Sequence, residues 1–184
     1  QAVQQQQAPG VSMRMIPLTT RDPRRLLDAG EADVAIGYFP EIMAMLAGGG
    51  GPATHRHLGL YQTRYVGVMR RGHPLAGRTA TTRQLGAATW ILRELGSGTR
   101  QATDQWLLDH LGTLNVEFEL ESTESIKQLA MAGAGLACLS RHTVAAALAQ
   151  GSLVEVRTRL PAARRRLSIV VGRGRQPGRA AQAF

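Results

Sequence analysis

The chain has 184 residues, of which 43% are hydrophobic and 4% aromatic, and it contains 21 glycines. This length can bury a hydrophobic core in one large or two small domains, and the composition argues against a disordered chain and an aromatic-rich β-sandwich. The formal net charge is +9, from 22 Lys and Arg against 13 Asp and Glu.

The positive charge invites a nucleic-acid interpretation, but its distribution along the chain argues against one. The arginines stand in small groups, such as residues 24–25, 70–71 and 164–166. No aromatic residues interleave them, and no helix-turn-helix, zinc-finger or RNA-recognition signature is present. Solvated arginine-rich faces are the favoured interpretation, and an anionic ligand would also suit this charge.

The single cysteine, Cys138, cannot form an intrachain disulfide, so nothing indicates an oxidising compartment. No long uncharged apolar run occurs, and the glutamine-rich start lacks the apolar centre of a signal peptide. We therefore expect a cytoplasmic protein with no membrane partner.

Short apolar runs alternate with helical patterns, which predicts a parallel sheet flanked by helices. The first half begins with a predicted strand over residues 11–16. A helix over residues 23–29, capped by Thr20 or Asp22, follows with Leu26 and Leu27 inward and Gly30 as its left-handed stop. Strands at residues 33–37 and 58–69 come next, separated by a glycine-rich loop at 47–54.

The second half repeats the alternation of strand and helix. Strands are predicted at residues 89–92, 116–120, 136–139, 153–156 and 167–171, and helices at 99–111, 123–133 and 141–149. In the predicted helix at residues 99–111, the inward positions are Ala102, Trp106 and Leu111. Residues 70–78 and 161–166 resemble two crossings between lobes, which predicts two Rossmann-like α/β lobes joined by two crossover strands.

The loop Arg93–Arg100 is the most informative segment because it joins a strand to a helix. Its backbone N–H groups, the hydroxyls of Ser97 and Thr99 and the positive helix end could converge on an anion. The alternative is an ordinary glycine turn with Thr99 as the N-cap. No Gly-Lys-Ser/Thr follows, so the segment is not a Walker loop.

Other motifs favour structural explanations. Gly133-Ala134-Gly135 precedes a strand and therefore predicts a helix C-cap rather than a dinucleotide fingerprint. His55 and His57 lack further metal ligands nearby, and Cys138 in an apolar run predicts a buried thiol. With no credible nucleophile or acid–base pair, we expect neither an enzyme nor a cofactor or metal site.

Three stretches resemble the effector-binding domain of LysR-type transcriptional regulators. They are Leu26–Gly37, Arg71–Ala76 and Ala132–Ala137 with Gly151–Val154, and together they cover most of the chain. The resemblance implies a type 2 periplasmic-binding-protein-like clamshell. Residues 1–70 with 161–184 would form lobe I and residues 71–160 lobe II, with the winged helix-turn-helix domain outside this chain.

The family position also implies a set of effector-binding residues at strand ends and helix starts. These are Thr19, Thr20, Gly37, Tyr38, Glu94, Ser97, Gly98, Thr99, Arg100, Ser122 and Thr123. All follow the carboxyl ends of strands, where open α/β sheets bind ligands. Residues 37–40 resemble a branch that senses nodulation or aromatic signals, whereas residues 90–100 resemble branches that govern sulfur assimilation and carbon fixation.

The implied function is ligand sensing in the regulation of transcription. A small anionic effector would bind between the lobes and change lobe geometry or dimer packing, and the attached domains would then shift on DNA. The resemblance implies a homodimer or tetramer that contacts DNA only through the N-terminal domain. A solute-binding protein for transport, which shares the clamshell fold, is the main alternative.

Overall fold

A computed structural model describes residues 23–37 and 55–172 of the chain, and these divide into two compact units. The first unit comprises residues 1–61 and 166–184, and the second comprises residues 62–165. The predicted first strand, the caps Thr20 and Asp22 and the glycine-rich loop lie outside the described residues.

The described part of the first unit contains helix α1 (Pro23–Asp28), strand β1 (Ala35–Gly37) and the later part of strand β9 (Arg164–Gly172). β1 pairs antiparallel with β9, and Leu27, Ala35 and Val170 form a small core. Leu26 and Leu27 are buried and Gly30 has φ +69°, which confirms the predicted inward face and left-handed stop.

The second unit is built around a mixed sheet. Strand β2 (His55–Arg70) continues into the unit, and the chain then forms β3 (Thr79–Ala80), helix α2 (Thr82–Ala87), β4 (Thr89–Arg93), α3 (Gly98–Leu111), β5 (Asn115–Leu120), α4 (Thr123–Ala132), β6 (Leu136–Ser140), α5 (Ala145–Gln150), β7 (Leu153–Glu155) and β8 (Arg157–Thr158).

β4 lies between β5 and β6 and runs parallel to both, whereas β6 and β7 pair antiparallel with β2. β3 and β8 form a separate parallel pair. Strands β4 and β6 bury nearly all of their side chains, as shown by Trp90, Ile91 and Leu92 of β4 at 0–1% exposure. Such continuous burial requires helices on both faces and explains the apolar runs in the sequence.

The unit boundaries fall inside β2 and β9, between residues 61 and 62 and between residues 165 and 166. The segment predicted to cross between lobes was residues 70–78; Arg70 is the last residue of β2, and residues 71–78 form turns within the second unit. The physical reason is that residues 65–70 of β2 already pair with β6 and β7. The chain therefore enters the second unit before it reaches Arg71.

Three helices differ in detail from the predictions. In α3, Thr103 and Leu107 are the fully buried positions, whereas Ala102, Trp106 and Leu111 pack partly buried at its margin. The predicted helix from Arg141 begins only at Ala145, because residues 141–144 form turns onto Ser140 and His142. Helix α2 was missed.

Candidate ligand-binding site

The carboxyl ends of three parallel strands meet at one edge of the second unit. Arg93 at the end of β4 is level with Leu120 at the end of β5, and β6 runs in the same direction on the other side of β4. Loops at residues 94–97, 121–122 and 141–144 therefore leave the sheet at the same edge. This is the position at which open α/β sheets bind ligands.

Two helices begin at this edge with serine caps. The Ser97 hydroxyl accepts from the backbone N–H of Thr99 at 3.2 Å, and the Ser122 hydroxyl accepts from the N–H of Ser125 at 3.2 Å. Ser97 is buried, whereas Ser122 is exposed. Ser97, not Thr99, caps α3, because the helix already begins at Gly98 and places Thr99 inside its first turn.

The Arg93 guanidinium connects the end of β4 to the start of α4. Its Nε and one terminal nitrogen donate to the two Glu94 carboxylate oxygens at 2.7 and 2.9 Å. The other terminal nitrogen donates to the Thr123 hydroxyl at 3.2 Å. The hydrogen bonds from Arg93 hold the pKa of the Glu94 carboxyl below its ordinary value, so Glu94 is ionised near neutral pH.

The Arg100 guanidinium has a fuller set of partners. It donates to Asp104 at 2.9 and 3.0 Å, to Glu119 at 2.6 Å and to the Arg93 carbonyl at 2.9 Å. Burial disfavours its charged form, but the hydrogen bonds to Glu119 and Asp104 outweigh burial and raise the pKa of Arg100. The hydrogen bond from Arg100 likewise lowers the pKa of Glu119.

Arg165 is a residue of this edge that the sequence did not identify. It stands at the start of β9 with only 8% of its surface exposed, and its guanidinium donates to the Gly98 carbonyl in the first turn of α3. A Cβ at position 98 would meet both terminal nitrogens of Arg165 at 3.0 Å, so any larger residue there would require the guanidinium to shift. Ala163 and Arg165 are buried while Arg164 and Arg166 are exposed, but three consecutive arginines give the sequence no signal that singles out Arg165.

A second feature missed in the sequence is a pair of hydroxyls at the same edge. The Thr63 and Ser140 hydroxyls lie 2.8 Å apart, and Thr63 is buried. Their strands are antiparallel with Tyr65 opposite Ser140, which places Thr63 just beyond the end of β6. No local motif marks this pair, since its members are 77 residues apart.

The structure brings seven of the predicted site residues to this edge: Glu94, Ser97, Gly98, Thr99, Arg100, Ser122 and Thr123. Gly37 lies in the first unit, opposite Ser168 in the β1–β9 pair. Thr19, Thr20 and Tyr38 lie outside the described residues. Arg100 is surrounded by carboxylates of its own chain, so its charge is already balanced.

Reactive groups are few in the described part of the chain. Cys138 is buried as predicted, and burial raises the pKa of its thiol to about 12. No cluster of three or more His, Cys, Asp or Glu residues suited to a metal occurs within residues 23–37 and 55–172. In these same ranges, no helix is long and apolar enough to span a membrane.

Comparison with known sequences gives a match over almost the whole chain. A family model described as LysR substrate binding domain matches residues 2–184. The HTH-type transcriptional regulator YeiE of Escherichia coli is 47% identical over 88 residues, which are 48% of this chain and 30% of that protein. The RuBisCO operon transcriptional regulator of Allochromatium vinosum is 28% identical over 185 residues, covering 100% of this chain and 58% of that protein.

A third relative, the HTH-type transcriptional regulator CfxR of Cupriavidus necator, is 33% identical over 147 residues, 79% of this chain and 43% of that protein. The chain thus spans between about a third and three fifths of the length of these relatives, which are transcriptional regulators. Each of them extends well beyond the matched segment.

Solved structures support the same grouping. The regulatory domain of Synechocystis PCC6803 CcmR, in complex with 2-PG, is 30% identical with a TM-score of 0.70, covering 88% of this chain and 74% of that one. The probable transcriptional regulator PA0477 of Pseudomonas aeruginosa shares the fold at 20% identity and a TM-score of 0.77, covering 97% and 57%. The predicted type 2 periplasmic-binding-protein-like α/β fold is confirmed.

Proposed function

Because this chain belongs to the family of LysR substrate-binding domains, we propose that it is the sensor of a bacterial LysR-type transcriptional regulator. In this proposal a small anionic effector binds to the domain and controls how the regulator engages DNA. The chain converts no substrate, and the regulator contacts DNA only through a separate winged helix-turn-helix domain. The regulator acts in the cytoplasm with no membrane partner.

One observation carries the proposal: polar side chains and helix starts converge at the carboxyl edge of β4, β5 and β6 in the second unit. Ser97 and Thr99 belong to the start of α3, and Ser122 and Thr123 to the start of α4. Backbone N–H groups in the first turn of a helix favour negative charge, and helices of 14 and 10 residues both begin here. This arrangement supports an anionic effector.

We propose that the effector contacts Glu94, Ser97, Gly98, Thr99, Arg100, Ser122 and Thr123 from the second unit. By the family position, Thr19, Thr20, Gly37 and Tyr38 are further candidates for contact with the effector. Arg100 would act mainly through the position of α3, since its guanidinium is held by Asp104 and Glu119.

The relatives narrow the choice of probe. The structure of CcmR, which is 30% identical, contains 2-PG. One sequence relative is named as the RuBisCO operon transcriptional regulator, and another is the transcriptional regulator CfxR. These names favour the carbon-fixation branch of the family over the aromatic-sensing branch. A transport solute-binding protein is not favoured, because these relatives are regulators.

The test is a thermal-shift screen of the chain with 2-PG, other phosphorylated or carboxylated metabolites, inorganic anions and neutral sugars. A ligand at a hundredfold excess over its Kd should stabilise the folded state by about 2.7 kcal/mol, which raises Tm by several degrees. Hits are then added to the full-length regulator in a DNA-binding assay. Stabilisation by neutral sugars alone would contradict the anionic effector.

A further inference from the structure

Between the starts of α3 and α4, the guanidinium of Arg93 is paired with one carboxylate, Glu94, whereas that of Arg100 is paired with two. The Arg93 side chain is 14% exposed and lies at the end of β4, with one terminal nitrogen 3.2 Å from the hydroxyl of Thr123, the first residue of α4. A negatively charged group on Nε and the other terminal nitrogen would therefore share this guanidinium with the first residue of α4. That position is occupied by the Glu94 carboxylate.

Glu94 binds Arg93 with the geometry that a bidentate ligand anion would use. The two carboxylate oxygens accept from Nε and from a terminal nitrogen at 2.7 and 2.9 Å. A guanidinium presents these paired donors equally well to a carboxylate or to a phosphate. Glu94 is the first residue after β4, and its side chain is 21% exposed. Because Glu94 directly follows Arg93 in the chain, forming the pair costs little conformational entropy.

Arg100 provides the contrast that singles out Arg93. Its carboxylate partners, Asp104 and Glu119, stand within α3 and β5, and it also binds the Arg93 carbonyl. Freeing Arg100 would require two carboxylate side chains to move, and its bond to the Arg93 carbonyl would remain. Displacing Glu94 requires rotation of one loop side chain whose backbone N–H remains bonded to the Leu120 carbonyl at 3.2 Å.

We propose that Glu94 is a built-in counter-ion of Arg93, and that the anionic group of the effector replaces its carboxylate on the guanidinium beside the start of α4. The inference rests on the proposed function and deepens it. Arg93 becomes the residue that recognises the anion, and Glu94, proposed above as an effector contact, becomes the carboxylate that the bound effector displaces and lies against. The competition favours anions with two oxygens on one centre, such as carboxylates and phosphates, over chloride.

The competition can be measured without knowing the effector, with inorganic phosphate as the probe. Glu94→Gln keeps the shape of the side chain but removes the competing charge. At constant ionic strength, calorimetry and thermal shift should show phosphate binding to Glu94→Gln at least roughly tenfold tighter than to the parent, as expected when a charge-assisted hydrogen bond is no longer opposed. Chloride should give no such gain.

Two further variants serve as controls. Glu117→Gln makes the same charge change on β5, where Glu117 is exposed and in no ion pair with a described residue, and it should bind phosphate as the parent does. Arg93→Met with Glu94→Gln removes both members of the pair, so no charge is left buried and alone and the protein should fold. This double variant should lose the gain.

Equal phosphate responses of Glu94→Gln and the parent, including no response from either, would overturn the inference and leave the pair as a structural ion pair. An equal gain in Glu117→Gln would also overturn it, because the effect would then reflect net charge. Neither result would affect an effector found in the screen of the unmodified protein. Conversely, a screen without hits would contradict the proposed function while a selective gain in Glu94→Gln still stood.

Discussion

At the scale of single residues, the loop after β4 contains charges that mostly bind one another. The sequence predicted Glu94, Ser97 and Arg100 as direct contacts of an effector, and the structure shows each already engaged, with Arg93, with the Thr99 N–H, and with Asp104 and Glu119. A charged or hydroxyl side chain that could bind a ligand can bind neighbouring groups of the protein equally well. Variants must therefore separate binding from folding.

Ser97 and Thr99 permit that separation. Ser97→Ala removes the α3 cap and should cost about 1 kcal/mol of stability. Thr99→Ala removes a hydroxyl that makes no hydrogen bond described in residues 23–37 and 55–172, so the free energy of unfolding should stay unchanged within about 0.5 kcal/mol. Effector affinity should instead fall roughly ten- to hundredfold by calorimetry.

Thr99→Ser is the matched control for this prediction, because it retains the hydroxyl and should retain most of the affinity. If Thr99→Ala binds the effector as tightly as the parent does, Thr99 is not part of the site.

The Cys138 thiol provides a prediction about reactivity. Its pKa, raised by burial to about 12, leaves almost no thiolate at about pH 8, and the side chain is 1% exposed. A thiol reagent should therefore leave the folded protein unmodified and react at once after addition of denaturant. Gln105→Cys places a comparison thiol on an exposed position of α3 and should react without denaturant. Rapid labelling of the parent in buffer would show that Cys138 is accessible.

At the scale of elements, local signals predicted most helices and strands but not their full extent. The glycine stops of α1 and α4 were predicted correctly, with φ values of +69° at Gly30 and +89° at Gly133. Helix α2 was missed although Thr81 and Gln84 form a capping box. β2 and β9 are longer than predicted because pairing with neighbouring strands continues into polar residues that have no apolar alternation.

Two glycines with opposite surroundings test how tightly the elements pack. A Cβ at Gly135, just before β6, would lie 2.7 Å from the backbone oxygen of Thr89, so Gly135→Ala must shift a strand and should destabilise the protein by about 1–3 kcal/mol. A Cβ at Gly86 in α2 would meet no atom within 4 Å, so Gly86→Ala should stabilise it by roughly 0.5–1 kcal/mol.

Urea denaturation followed by circular dichroism measures both free energies of unfolding. The contrast in sign is the essential result. A neutral effect of Gly135→Ala would mean that β4 and the turn before β6 are less closely packed than the structure shows.

At the scale of the whole molecule, the chain passes between its two units twice, within β2 and within β9. The sequence predicted passages at residues 70–78 and 161–166, and the boundaries between the two units lie between residues 61 and 62 and between residues 165 and 166. The first passage lies before Arg70 because strand pairing with β6 and β7 places that residue in the second unit.

Self-association is the prediction that belongs to this scale. The family resemblance predicts antiparallel pairing of two copies through the helix at residues 23–29 and the helix at residues 126–133. Sedimentation velocity across a wide range of concentration should show a dimer. Gln128→Arg, on an exposed position of α4, should weaken the dimer because it places like charges of the two copies near each other. Gln105→Arg, on an exposed position of α3, should leave the dimer unchanged. A concentration-independent monomer would contradict the prediction for this chain.

Local sequence patterns were enough to predict the α/β class, the position of α1 and α4, and the general edge at which strand ends meet helix starts. These features depend on periodicity, caps and glycines within a few residues of one another. Only the tertiary structure decided the partners at that edge: Arg93 with Thr123, Arg100 with Glu119, and Arg165 with Gly98 are 30, 19 and 67 residues apart. A guanidinium binds whichever acceptor the packing brings within reach, and local sequence carries no information about that choice.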